Sequence, residues 1–280
     1  MDIKALALDL DGTLLGPKAV LTERTRRAVQ SCVNKGIAAV FATGRAVESS
    51  EKYRIPVGAL GPMVYFNGAI VADMPLGKIL HSTLLAKEIA AFCADLSREK
   101  SVYFQMYIPG TTEKGQPLLA EMESSERDMY HKHTGLLAEI VDLEEVLKRP
   151  AVQGCIKAMF LAEPEILDGI RPIIEGRFGS EVYVVRSTRT FLEILNPRVS
   201  KGQGLLLALE NRGIKPEETI AFGDEENDLP MFKAAGLSVA PANAKESVKS
   251  KADLVMGSNA EDGIAAFLEE AFLLSPFPQK

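Results

Sequence analysis

The chain has 280 residues, 46% of them hydrophobic and 25% charged, with a formal net charge of −6. That balance suits an ordinary globular protein long enough for two domains, and its acidity argues against nucleic acid as a partner while leaving room for a small phosphorylated ligand held by a divalent metal and a few cations. Cys32, Cys93 and Cys155 show neither zinc spacing nor a disulfide framework, Met-Asp-Ile-Lys does not open a signal peptide, and no apolar stretch approaches the roughly 18–20 residues that span a bilayer, so no membrane partner and a cytoplasmic location are expected.

The first predicted element is an apolar run, Ile3 to Leu8, which reads as a buried strand of a parallel sheet. Asp9-Leu10-Asp11-Gly12-Thr13 follows it directly. In open α/β sheets ligands gather beyond the carboxyl ends of the strands, so both carboxylates belong to a crevice. Crowded carboxylates repel, and a hard cation with oxygen ligands, most often Mg²⁺, relieves them. A plain strand-end turn accounts for one Asp and the Gly but gives no reason for the second Asp.

Thr22 caps a helix running to about Lys35, with Gly36 as its stop, and Ile37 to Ala42 is a second strand ending at Thr43-Gly44-Arg45. A short helix and a Pro-containing connection lead to a third strand, Met63 to Phe66, and Asn67-Gly68 turns the chain into Ala69 to Ala72. This alternation predicts a doubly wound parallel sheet. From 84 to 190 the pattern changes to helix 86–98, strand 101–108, a polar stretch to about 150, strand 155–161, helix 164–177 and strand 181–186. Residues 186–189 read as a polar turn. The expected organisation is therefore an α/β core from residues 1–83 and 191–280, with an α+β domain inserted at 84–190.

The core pattern resumes with Phe191 to Leu195. Ser200 and Gln203 suit a capping box for helix 201–212, closed by Gly213. Thr219 to Phe222 is a buried strand ending at Gly223-Asp224-Glu225-Glu226-Asn227-Asp228. A helix stops near Gly236, Leu237 to Ala240 and Leu254 to Met256 are strands, and helices fall near 244–250 and 261–273. The tail from Ser275 to Lys280 is expected to fray.

Polar residues thus fall at several strand ends, which reads as one crevice with a phosphate at its centre. Asp9 would attack phosphorus, and Asp11 would protonate the leaving alcohol and later deprotonate water. Thr43 offers a hydroxyl and nearby backbone N–H groups to a phosphate oxygen. Lys201 supplies a positive charge to phosphate and nucleophile, and Asp224 completes a magnesium site with Asp9.

With its Asp9-Leu-Asp11-Gly-Thr13-Leu14, Ala42-Thr43-Gly44-Arg45, Asn67-Gly68-Ala69, Ser200-Lys201-Gly202 and Gly223-Asp224 through Asn227-Asp228, the chain resembles the Cof-type phosphatases of the haloacid dehalogenase superfamily over nearly its whole length. The resemblance implies Asp9 as nucleophile and Asp11 as acid/base, with the Asp11 main-chain carbonyl also on the metal. It implies Asp224 as a direct Mg²⁺ ligand, Asp228 supporting Lys201 or the metal waters, and Asn227 touching the phosphate. It also implies that the inserted domain is a cap that closes over the crevice and selects the substrate.

Weaker signals surround these. Arg45 and Gly44 belong with the substrate-binding loop, although Arg45 equally suits a pair with a neighbouring acid. His131 and His133 in a polar stretch read as solvated, Met106 and Tyr107 as packing residues, and Arg186 and Arg189 as possible anion contacts. A sugar phosphomutase using the same nucleophile, or a non-enzymatic Mg²⁺- and phosphate-responsive module, are the rival functions. Sugar phosphates, nucleotides, flavin mononucleotide and pyridoxal phosphate all remain open as substrates, and the sequence singles out no oligomeric state.

Overall fold

The computed structural model describes residues 2–110 and 116–274. It divides into two compact units: 1–45 with 50–81 and 200–280, and 82–199 with 46–49.

In chain order the first unit opens with β1 (Ala5–Leu8), every residue of which is buried. Helix α1 (Glu23–Asn34) follows, and the Thr22 hydroxyl accepts a bond from the Thr25 amide at its start. β2 (Ala38–Phe41), α2 (Val47–Val57), β3 (Gly61–Tyr65), β4 (Ile70–Met74) and β5 (Lys78–Ser82) come next. Strands β3, β4 and β5 form a sheet of their own, with β3 and β4 antiparallel, and a parallel bridge between Ala42 and Val64 links it to the end of β2. The expected run of parallel strands therefore gives way to hairpins after β2. Asn67-Gly68 does turn the chain, but inside a four-residue loop that pairs Tyr65 with Ile70.

The second unit holds β6 (Leu85–Ala86), α3 (Lys87–Lys100), β7 (Tyr103–Tyr107), β8 (Leu118–Ala120), α4 (Ser125–Thr134), β9 (Glu139–Ile140), α5 (Leu143–Lys148), β10 (Gly154–Cys155), β11 (Lys157–Leu161), α6 (Pro164–Phe178), β12 (Tyr183–Thr188) and β13 (Phe191–Leu195). Its main sheet runs β12-β13-β11-β7-β8-β9, and its helical face buries Phe104, Met106, Ala158, Phe160, Leu192 and Ile194. Two corrections follow. Phe191–Leu195 does not return to the α/β core, because β13 pairs antiparallel with both β12 and β11 inside this sheet. The boundary expected at 190 accordingly falls at 199. The stretch expected as merely polar contains α4 and α5, whose starts are capped by the side chains of Ser124 and Asp142; of it, residues 111–115 lie outside the described residues. α4 buries only Tyr130, and α5, which buries Leu143, Val146 and Leu147, spans less than two turns, so each leaves a weak periodic signal.

The chain then re-enters the first unit with α7 (Lys201–Arg212), β14 (Thr219–Phe222), α8 (Leu229–Ala234), β15 (Leu237–Pro241), α9 (Glu246–Lys249), β16 (Leu254–Met256) and α10 (Gly263–Leu268). Ser200 caps α7 by accepting from the Gln203 amide, while among the described residues no return bond from the Gln203 side chain completes the box. A π-helical turn over 269–274 ends the described chain, so the expected frayed tail at 275–280 lies outside it. The core sheet runs β16-β15-β14-β1-β2, every pair parallel. From β1 the chain moves outward to β2 and later resumes at β14 on the other side of β1. The strand order thus reverses between β1 and β14, the place where open parallel sheets hold ligands.

Candidate active site

At that reversal β1 and β14 run in register, Leu8 beside Phe222, and the Asp9 amide donates to the Phe222 carbonyl at 3.0 Å. Asp9 and Asp224, each one or two residues past a strand end, are therefore brought together although they stand 215 positions apart in the chain (224 − 9). One oxygen each of Asp9, Asp224 and Asp228 lies within 4.8 Å of the others, and all three residues are buried.

Local structure fixes each acid. Gly12 has φ +82°, and a Cβ there would run into the Asp224 carboxylate, so the turn after Asp11 requires glycine on both counts. The Thr13 hydroxyl donates to Asp224 Oδ1 at 2.7 Å. Asp228 Oδ2 accepts the backbone N–H groups of Asp224 and Glu225 at 2.9 and 3.0 Å, tying the loop into a closed turn. Its Oδ1 accepts from Lys201 Nζ at 2.6 Å, and the same ammonium reaches Asp9 Oδ1 at 2.5 Å.

Three buried carboxylates face one buried ammonium. Burial pushes the Asp9 carboxyl well above the usual carboxylate range, with Lys201 pulling it back and Asp228 and Asp224 adding to the rise. Burial, opposed by the Thr13 bond, takes Asp224 up to about 6. Burial works against the charge on Lys201, but Asp228 and Asp9 outweigh it and hold the ammonium above the ordinary lysine value. The cluster is short of positive charge, and burying uncompensated charge is costly.

A hard divalent cation fits this deficit. Every donor is oxygen, and Asp9 Oδ2 and Asp224 Oδ2 accept no hydrogen bond among the described residues. Asp228, by contrast, has both oxygens engaged by Lys201 and the backbone, which makes it an organiser of the site.

A second group lines the loop after β2. The Thr43 amide donates to the Val64 carbonyl, and the Thr43 carbonyl accepts from the Asn67 amide at 2.9 Å. Phe66, Asn67 and Gly68 have φ of 50°, 58° and 101°, three successive left-handed residues. For the two that carry a Cβ this is strain of about 1–3 kcal/mol each, of the kind found at functional sites. Asn67 Oδ1 accepts from Asn227 Nδ2 at 3.0 Å. Gly68 lies so close to the Ser200 carbonyl that any side chain would collide with it, which sets the loop against the start of α7.

The residues singled out from sequence divide accordingly. Asp9, Asp224, Asp228 and Lys201 meet in one cluster, while Thr43, Gly44 and Asn227 gather around Asn67. The Asp11 side chain is half exposed and is gripped by Arg45 Nε and Nη2 at 2.6 Å each, so its carboxylate is not among the clustered acids, and the metal contact expected of Asp11 was in any case its main-chain carbonyl. Arg45 takes the pairing role that its sequence position left open. Among the described residues no metal-type cluster includes His131 or His133, and His133 lies edge-on to Phe191 at 6.0 Å. Arg186 lies within strand β12, which runs on to Thr188 through most of the expected turn, and it pairs with Asp168 at 2.9 Å. Met106 packs in the second unit's core, and the Tyr107 hydroxyl meets that of Tyr130 at 2.9 Å. Sequence reasoning passed over Thr13 and the side chain of Asn67. The turn signal of Asn67-Gly68 accounted for the residue on its backbone alone and so drew attention away from its amide.

Parallel strands whose order reverses at an acid cluster with an embedded lysine define an α/β protein with a centre suited to a metal and an anion. The haloacid dehalogenase-like hydrolase family matches over residues 6–268, and the chain belongs to it. A Haemophilus influenzae putative phosphatase is 28% identical across 97% of this chain and 98% of its own. A Bacillus subtilis 5-amino-6-(5-phospho-D-ribitylamino)uracil phosphatase is 29% identical across 96% and 97%. A Thermotoga maritima protein of known crystal structure superposes with a TM-score of 0.83 at 32% identity, covering 96% of this chain and 97% of that one. The chain is a phosphoric monoester hydrolase with the Rossmann-like core of that family. Among the described residues no helix is long and apolar enough to cross a membrane.

Proposed function

We propose that this enzyme hydrolyses small phosphate monoesters in two steps through an aspartyl-phosphate on Asp9, with Mg²⁺ as its metal. Asp9 and Asp224 would hold the ion, which when bound neutralises charge on the transferring phosphoryl group. A carboxylate oxygen of Asp9 forms a bond to phosphorus as the bond from phosphorus to the ester oxygen breaks. Asp11 gives its proton to the departing alkoxide, once the Arg45 pair has opened. In the second step Asp11, now a carboxylate, takes a proton from water while the water oxygen attacks phosphorus. Asp9 leaves as a carboxylate and inorganic phosphate is released. Lys201, tethered by Asp228, holds Asp9 in place and offsets the repulsion between nucleophile and phosphate.

The observation that carries this reading is the Lys201 bridge from Asp9 to Asp228, beside free oxygens on Asp9 and Asp224. A lysine that only stabilised the fold would have no reason to sit among three carboxylates at the strand-order reversal. For the substrate, the relative that acts on a phosphorylated ribityl compound makes sugar and polyol phosphates the first class to screen. The test is turnover of p-nitrophenyl phosphate and of a phosphomonoester panel with Mg²⁺, followed by acid quench and mass spectrometry. A phosphoryl group on the peptide containing Asp9 supports the reading. Turnover with that peptide unmodified under single-turnover conditions overturns the covalent route, and an isomerised sugar phosphate in place of free phosphate makes the enzyme a mutase.

A further inference from the structure

We propose that Asn67 is a positioning residue of the phosphoryl pocket, its side-chain amide fixing that of Asn227 against the Thr43–Gly44 backbone. This rests on the phosphatase reading above. The turn after β3 tolerates asparagine, but glycine meets left-handed backbone at least as easily, so the turn alone does not account for a buried amide at this position. What asparagine adds is an amide, and that residue is 2% exposed.

The amide makes two contacts that the turn does not require. Its Oδ1 accepts from Asn227 Nδ2 at 3.0 Å, joining the loop after β3 to the loop after β14. It also lies across Gly44, where an added Cβ would come 3.0 Å from Oδ1 and 3.3 Å from Nδ2, so the glycine leaves room for the amide. The Asn67 backbone amide binds the Thr43 carbonyl, so one residue grips both loops. Asn227 Oδ1 is buried and accepts no bond among the described residues, so the tether to Asn67 is what holds this amide plane. Of the four N–H bonds on the two amides, one is used between them. The others are the kind of donor that a phosphate oxygen accepts. Asn67 therefore acts through Asn227 and the Thr43 loop.

The test uses the full chain with Mg²⁺ and p-nitrophenyl phosphate, comparing parent, Asn67→Gly, Asn227→Ala and the double variant, with thermal melting of each. Glycine satisfies the left-handed backbone and removes only the amide. The expected result is a melting temperature no lower than the parent's and a fall in kcat/KM of about tenfold, the size of one lost hydrogen bond. In the Asn227→Ala background the same change should cost less than about twofold, since residues acting as one unit are non-additive. An Asn67→Gly variant within about twofold of an active parent overturns the proposal. So do losses that simply multiply, or a variant that melts early while its folded fraction keeps the parent kcat/KM. A parent that releases no phosphate from any monoester overturns the hydrolase reading, and this one with it.

Discussion

Arg45 grips the carboxylate of Asp11 through Nε and Nη2, both bonds 2.6 Å, with the guanidinium buried and the carboxylate half exposed. The exposed partner is the one free to swing, so the pair is a parking place for the proposed acid. Asp11→Asn should lower kcat by about 10²–10⁴-fold on alkyl phosphates, the usual contribution of general acid–base catalysis, and by much less on p-nitrophenyl phosphate. A leaving-group series measures this. Equal losses across the series would remove Asp11 from the acid role.

Asp9→Asn should reduce kcat/KM by several orders of magnitude, because the proposed nucleophile and metal ligand would be lost together. Steady-state rates on p-nitrophenyl phosphate decide it. Activity within about tenfold of the parent is only about 1.4 kcal/mol, too little for a nucleophile.

Chelation should abolish turnover, and added Mg²⁺ should restore it. The ion should also raise the melting temperature, by the equivalent of about 2.7 kcal/mol at a hundredfold excess over its dissociation constant. Asp224→Asn should remove that increment, and Thr13→Val should weaken it by freeing Asp224 Oδ1 from its hydroxyl partner. Scanning calorimetry with and without Mg²⁺ reads both; an unchanged increment in Asp224→Asn places the ion elsewhere.

Lys157 and Glu193 form an ion pair at 2.8 Å in the second unit, with both side chains almost wholly buried. Lys157→Met alone should destabilise by about 3–5 kcal/mol, since it leaves a carboxylate buried without its cation. Lys157→Met with Glu193→Leu should recover most of that loss, because replacing both charges with apolar groups is often neutral or better. Chemical denaturation of the three chains measures it, and a double variant no more stable than the single one contradicts the argument.

The meeting of the acids was legible in the sequence because they stand at strand ends. Short apolar strands fixed where Asp9, Thr43 and Asp224 stand, and parallel pairing did the rest. Residues 191–195 misled because an apolar run reads the same whichever sheet it joins; only its antiparallel partners in β12 and β11 assign it. Helix 125–134 buries only Tyr130 and leaves no periodic trace, while helix 143–148, which buries Leu143, Val146 and Leu147, is too short for that spacing to stand out. Asn67 hid behind its own turn propensity, and Arg45 behind the two partners its position allowed.

The order in which this sheet can be completed follows from its strand sequence. β1 is an interior strand, yet its second neighbour, β14, is encoded some two hundred residues downstream. During synthesis β1 and β2 emerge first, and β1 keeps one open edge until Phe222 has left the ribosome. The intervening stretch from 82 to 199 carries a sheet of its own and can fold in the meantime. Chains truncated before Thr219 should therefore retain an ordered insert while presenting an unpaired apolar edge, which predisposes them to aggregate.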